Sequence, residues 1–135
     1  MDTNALVVKL GQLVERAPLP GLVAVYLFGS RARGTARPDS DVDVAIVRLS
    51  VDGPRFPTPE LLLEGSLESA LGLPVQVVLM NAAPPDLVHR IMRDGIVVWE
   101  GDRSKRIAFE VRARNDYFDL APRLLEYRRS RGEVA

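Results

Sequence analysis

The sequence predicts an α/β fold with a mixed sheet of about four to five strands flanked by helices, and three observations lead there. Apolar runs and period-two segments alternate along the chain with segments of helical spacing. Glycines and prolines stand at the junctions between them. A length of 135 residues suits one domain built on one core.

The elements follow in order. Asn4 to Arg16 carries Leu6, Leu10, Leu13 and Val14 at helical spacing, and Pro18 and Pro20 stop that helix. Leu22 to Phe28 is a continuous apolar run, read as a buried strand that closes on a tight turn at Gly29 and Ser30. After an arginine-rich link, Val42, Val44 and Ile46 alternate with Asp41, Asp43 and Ala45, which predicts a second strand with two unlike faces. Three prolines and a glycine make Asp52 to Pro59 a loop, and Glu60 to Leu71 resumes helical spacing until Gly72 and Pro74.

Val75 to Met80 is a third strand. Pro84 to Asp94 is a short helix with Leu87, Val88, Ile91 and Met92 inward, and Gly95 to Trp99 is a fourth strand. From Asp102, the positions of Ile107, Val111, Phe118 and Leu125 suggest one or two helices, bent or broken at Ala121 and Pro122. The core is assigned to about residues 20–102 and a C-terminal helical segment to about 103–130 of one domain, 1–135.

Composition excludes several function classes. Hydrophobic residues make up 47% and charged residues 27% of the chain, the balance of a globular protein. Eighteen basic and eighteen acidic side chains provide no global field for a polyanion, so nucleic acid is not expected as a partner. The absence of cysteine excludes disulfides, thiolate metal sites and cysteine nucleophiles, and one histidine excludes a multi-histidine cage. The N-terminus has no basic leader region and the apolar runs are too short for a bilayer, so a cytoplasmic location is expected.

The chemistry concentrates between Gly29 and Asp43. A glycine after a buried strand allows backbone conformations in which successive amide N–H groups converge on a phosphate, and Ser30 adds a hydroxyl donor. Asp41 and Asp43, two apart on a strand, leave the same face roughly 6.5 to 7 Å apart along the backbone. Two hard oxygen ligands of this kind suit magnesium, which completes its octahedron with water and substrate phosphate oxygens. Val42, Val44 and Ile46 bury the opposite face and so fix the register that aims the aspartates. Arg31, Arg33 and Arg37 either grip phosphate bidentately or form a solvated loop face.

Gly29-Ser30, ten residues, then Asp41-Val42-Asp43 resembles the signature of the nucleotidyltransferase superfamily that includes polymerase beta and the kanamycin-modifying enzymes. In the form Gly29-Ser30-Arg31-Ala32-Arg33-Gly34 with Ser40-Asp41-Val42-Asp43, it is most similar to the minimal nucleotidyltransferases, many of them antitoxins paired with a HEPN toxin. Pro74 to Met80 and Arg90 to Asp102 resemble the later strands and helix of those proteins, so most of residues 20–102 is covered. The resemblance implies a nucleotidyltransferase fold, ATP or another nucleoside triphosphate as substrate, and Mg2+ of the two-metal type. It implies that Gly29, Ser30 and Arg33 meet phosphate, that Ser40 borders the pocket, and that Asp41 and Asp43 are the catalytic metal ligands.

The family also places a third carboxylate on the neighbouring strand, where this chain has Gln76. No acidic residue lies between Leu73 and Asn81, so the departure does not depend on exact alignment. An amide offers one neutral oxygen but accepts no proton, which weakens the site for the second metal and for deprotonating the attacking hydroxyl. Asp39 and Asp86 are the other candidate bases, and nothing in their spacing recommends either. The resulting expectation is transfer of AMP from ATP to a hydroxyl, a tyrosine of a HEPN toxin, by a chain acting as antitoxin. A catalytically weakened nucleotide-binding module or steric antitoxin, and a small-molecule nucleotidyltransferase, are the rival readings. Homo- or hetero-oligomeric assembly stays open.

Two other features carry less chemistry. His89 lies between core-facing positions of its helix and is expected to face solvent. Ala82, Ala83 and Pro84 occupy the places where a HEPN toxin would need arginine before its histidine, so this chain is not the toxin. From Arg103 to Arg131 there are nine basic and four acidic side chains, read as a solvated helix face. Phe109, Tyr117, Phe118 and Tyr127 are read as packing residues, of the core or of an interface with a partner chain, which periodicity does not separate.

Overall fold

The computed structural model describes residues 1–50 and 56–130, and among these the side chains of 120–125 and 127–130 are not described. Helix α1 spans Thr3–Arg16, with the Asp2 carboxylate capping its start by accepting from the Ala5 N–H at 2.7 Å. Leu6, Leu10 and Val14, a turn apart, are its buried stripe. Strand β1, Leu22–Phe28, is apolar throughout and buried on both faces. A short helix, α2, covers Ser30–Arg33, and β2 covers Val42–Arg48.

Thr58 caps α3, Pro59–Leu71, which leads to β3, Val75–Leu79. A single 3-10 turn, Met80–Ala82, then connects to α4, Pro85–Asp94, and β4, Ile96–Glu100. The final helix, α5, runs from Arg103 to Ser130 without a break. Of the expected bend or break at Ala121 and Pro122, the break is absent, because one missing proline N–H removes one rung while the turns on either side keep theirs. Of the loop expected over Asp52 to Pro59, positions 52–55 lie outside the described residues and Pro59 already opens α3; Tyr127's side chain is likewise not described. No helix among the described residues is long and apolar enough to cross a membrane.

The four strands form one mixed sheet in the order β3-β2-β1-β4. β1 pairs antiparallel with β2 and with β4, whereas β2 and β3 are parallel. One face packs on α1 and α3 through Leu27, Val42, Val44, Ile46, Leu63 and Leu67. The other packs on α4 and α5 through Tyr26, Ala45, Val47, Val88 and Ile91. The unlike faces expected of β2 are therefore confined to its first residues: Ala45 and Val47, in line with Asp43, are as buried as Val44 and Ile46.

β1 ends, and β2, β3 and β4 begin, at one end of the sheet. The β3 edge is closed from outside by α3, whose Glu68 and Glu64 carboxylates accept from the Val75 and Val77 N–H groups at 3.0 Å each. These bonds occupy donors that an edge strand would otherwise offer to another chain.

Candidate functional site

β1 delivers Phe28 beside Asp43, and the chain must then turn at once. Gly29 makes that turn at φ +76°, in the left-handed region, and a Cβ built on it would collide with the Asp43 carboxylate. Only glycine meets both demands, a positive φ and near contact with a neighbouring carboxylate. Gly34 closes α2 in the left-handed conformation at φ +74°, with its N–H bonded to the Ser30 carbonyl. The Thr35 N–H donates to the same oxygen at 3.0 Å.

The return path is a four-residue turn, Arg37-Pro38-Asp39-Ser40. The Ser40 N–H donates to the Arg37 carbonyl at 3.0 Å, and the Ser40 hydroxyl accepts from the Arg37 N–H at 2.8 Å. Pro38 stands second in that turn, where its fixed φ belongs. Ser40's hydroxyl is therefore engaged in the turn. Asp41 is the last loop residue, because β2 begins at Val42, whose N–H donates to the Pro74 carbonyl at 2.8 Å.

Asp43 is half-buried and Asp41 is exposed. Burial raises the proton affinity of Asp43 above that of an ordinary carboxylate, the charge of Asp41 adds to the effect, and Arg33 opposes it. Arg33 also acts on Asp94, whose carboxyl is held low mainly by its hydrogen bonds from Arg93 at 3.0 and 2.9 Å. Arg33 thus stands near both the aspartate pair and the end of α4. The register sets Gln76 of β3 directly beside Asp43, exposed and on the same side of the sheet.

The donor set fits a hard divalent cation. Two carboxylates close enough to repel each other, one of them desolvated, are relieved by a positive ion between them. Among the described residues no cluster of three or more aspartate, glutamate, histidine or cysteine side chains adds to this pair.

The structure thus brings Gly29, Ser30, Arg33, Ser40, Asp41, Asp43 and Gln76 to one end of the sheet. Asp39 lies exposed in the adjoining turn. Asp86 is in the first turn of α4, beyond the far end of β3, and is remote from the pair. His89, expected to face solvent, is only half-buried, and one face of its ring stacks on Tyr117 of α5 with centroids 3.8 Å apart and planes 5° from parallel. Phe109 and Ala113 pack on the α4 and α5 core, whereas Phe118 is 64% exposed and meets the Tyr117 ring edge-on, with centroids 6.0 Å apart.

Arg31 departs most from expectation. It is only 6% exposed, so it belongs to no solvated loop face. Its guanidinium donates to backbone carbonyls of the returning loop, chiefly Ser40 at 2.7 Å. Carbonyl oxygens have no sequence identity, so no residue pattern could have pointed to this role.

Residues 12–104 match the family model described as Polymerase beta, Nucleotidyltransferase. The protein adenylyltransferase MntA of Thermococcus cleftensis is 32% identical over 82 residues, which cover 58% of this chain and 76% of that protein. A chain from a crystal structure of a toxin-antitoxin with AMP-PNP is similar at TM-score 0.70 and 25% identity, over 96% of this chain and 94% of that one. A structure described as a minimal nucleotidyltransferase is similar at TM-score 0.58 and 31% identity, over 71% of this chain and 95% of its own. The matched span takes in the Gly29 turn, the aspartate pair and all four strands, and the chain belongs to the polymerase beta family of nucleotidyltransferases.

Proposed function

We propose that this chain transfers AMP from ATP to a hydroxyl of a protein partner, a tyrosine of a HEPN toxin, and so acts as the antitoxin of a pair. The observation that carries the reading is the side-by-side placement of Asp43 and the Gly29 turn, with Asp41 two residues before it. Two likenesses support it: the relative that is an adenylyltransferase, and the toxin-antitoxin structure with AMP-PNP.

Backbone N–H groups of the Gly29–Ser30 turn and the Arg33 guanidinium bind the phosphates. Asp41 and Asp43 would hold Mg2+, which when bound would supply positive charge against the phosphates. The acceptor oxygen forms a bond to the α-phosphorus as the bond to the departing pyrophosphate breaks. The hydroxyl proton passes to solvent, because the Gln76 amide beside Asp43 cannot accept it. Slow turnover follows, and Gln76 is the observation that favours the second reading, a nucleotide-binding antitoxin that blocks its toxin sterically.

The test incubates the chain with α-labelled ATP, magnesium and a HEPN toxin protein. Label on the partner with wild type, and none with Asp41→Asn plus Asp43→Asn, is expected. Label transfer by both, or by neither, overturns the enzyme reading, and magnesium-dependent ATP binding without transfer selects the steric one.

A further inference from the structure

Arg31 is a buried cation at the site, and among the described residues the hydrogen bonds of its guanidinium run to backbone. Nε and Nη2 both donate to the Ser40 carbonyl, at 3.2 and 2.7 Å. Nη2 also reaches the carbonyls of Pro38 at 3.2 Å and Arg37 at 3.4 Å. Arg31 belongs to α2, whose first residue is Ser30, while Ser40 immediately precedes Asp41. One planar group therefore ties the turn that follows β1 to the loop that enters β2. From the other side, the Thr3 hydroxyl of α1 donates to the Arg31 carbonyl at 2.7 Å, so the backbone that carries this guanidinium is itself anchored.

We propose that Arg31 is a positioning residue, which holds the Gly29–Ser30 turn and the Asp41–Asp43 pair at one fixed separation without touching substrate. The chemistry of the group suits the task. Guanidinium is always charged, planar and a donor only, so it can gather several carbonyl oxygens that would otherwise leave the ten-residue spacer free to adopt other paths. Strand pairing fixes Asp43, but Asp41 and the turn lie outside the sheet and have no such constraint. A ligand that bridges the turn and the carboxylates gains most from a preset separation, and a bridging transition state more still.

The inference rests on the nucleotidyltransferase reading, and its test separates the two. Arg31→Gln and Arg31→Lys are compared with wild type for label transfer, for melting temperature, and for affinity toward a non-hydrolysable ATP analogue with and without magnesium. Arg31→Gln is expected to lower kcat by about 30- to 100-fold while changing KM about threefold or less. Arg31→Lys, which keeps a donor, is expected to recover part of that loss. The tightening of analogue binding by magnesium is expected to shrink in Arg31→Gln more than the magnesium-free affinity does.

Wild-type kcat in Arg31→Gln overturns the proposal. So does a parallel loss of kcat, magnesium-free affinity and melting temperature with no recovery in Arg31→Lys, which marks a merely structural residue. If Arg31→Gln does not fold, Arg31→Lys alone decides, through a fall in kcat without a matching rise in KM. If wild type transfers no label, the function reading fails, and the magnesium effect on analogue binding still decides the role of Arg31.

Discussion

Asp43 of β2 and Gln76 of β3 are register partners in the parallel half of the sheet, with both side chains on the face that meets α4 and α5. A carboxylate at Gln76 would stand beside the aspartate pair and supply both a metal ligand and a proton acceptor. Gln76→Asp is expected to raise the rate of label transfer about tenfold or more, short of the roughly hundredfold or greater gain from a fully positioned base. An unchanged or lower rate at matched magnesium would show that this position does not limit turnover.

Asp43 carries a folded-state cost of its own. Its proton affinity is raised in the folded chain, first by burial and then by Asp41, so folding disfavours its charged form. The folded chain binds the proton more tightly than the unfolded one, so stability falls as pH rises through the carboxylate range. Asp43→Asn removes that cost, and in divalent-free buffer at neutral pH it is expected to melt at a higher temperature than wild type while transferring no label. A lower melting temperature would mean that the carboxylate is stabilised by contacts other than a cation.

Tyr26 ties β1 to α5. Its hydroxyl donates to the Glu110 carboxylate at 2.9 Å in a buried setting, and Arg106 pairs with the same carboxylate. Burial first, and then Glu110, hold the phenol well above its ordinary proton affinity. The stability this contributes is fully present below the unfolded value of about 10 and is lost as pH rises beyond it. Chemical denaturation across pH 9 to 11 is expected to show wild type losing stability more steeply than Tyr26→Phe. Parallel curves would count against the phenol as the titrating group.

His89 and Tyr117 join α4 to α5 by face-to-face stacking. A double-mutant cycle with His89→Ala and Tyr117→Ala is expected to give a coupling of about 0.5–1.5 kcal/mol, the range for aromatic pairs beyond area burial. Additive single-mutant effects would show that the rings share a location without interacting.

Much of the site was legible because its chemistry is local. Gly29, Ser30, Asp41 and Asp43 lie within fifteen residues of one another, and the polar residues interrupt apolar runs whose periods announce strands. Gln76 was legible for a related reason: the apolar residues on both sides of it identify a strand in which a carboxylate is missing. Arg31 and His89 were not legible. Each is one of several similar loop or helix-surface positions by pattern, and what distinguishes it is a partner far off in sequence or a backbone atom with no sequence signature.

The sequence by itself determined the α/β class, the order of its elements and the Gly29-Ser30 and Asp41-Val42-Asp43 motif by which the chain resembles nucleotidyltransferases, since periodicity, turn chemistry and motif spacing are properties of neighbouring residues. The tertiary structure alone decided the strand order β3-β2-β1-β4, the pairing that seats Asp43 between Phe28 and Gln76, and the burial of Arg31 against the Ser40 carbonyl. Those relations depend on which distant segments satisfy one another's hydrogen bonds and apolar faces when the chain closes on itself, and that is settled only by packing.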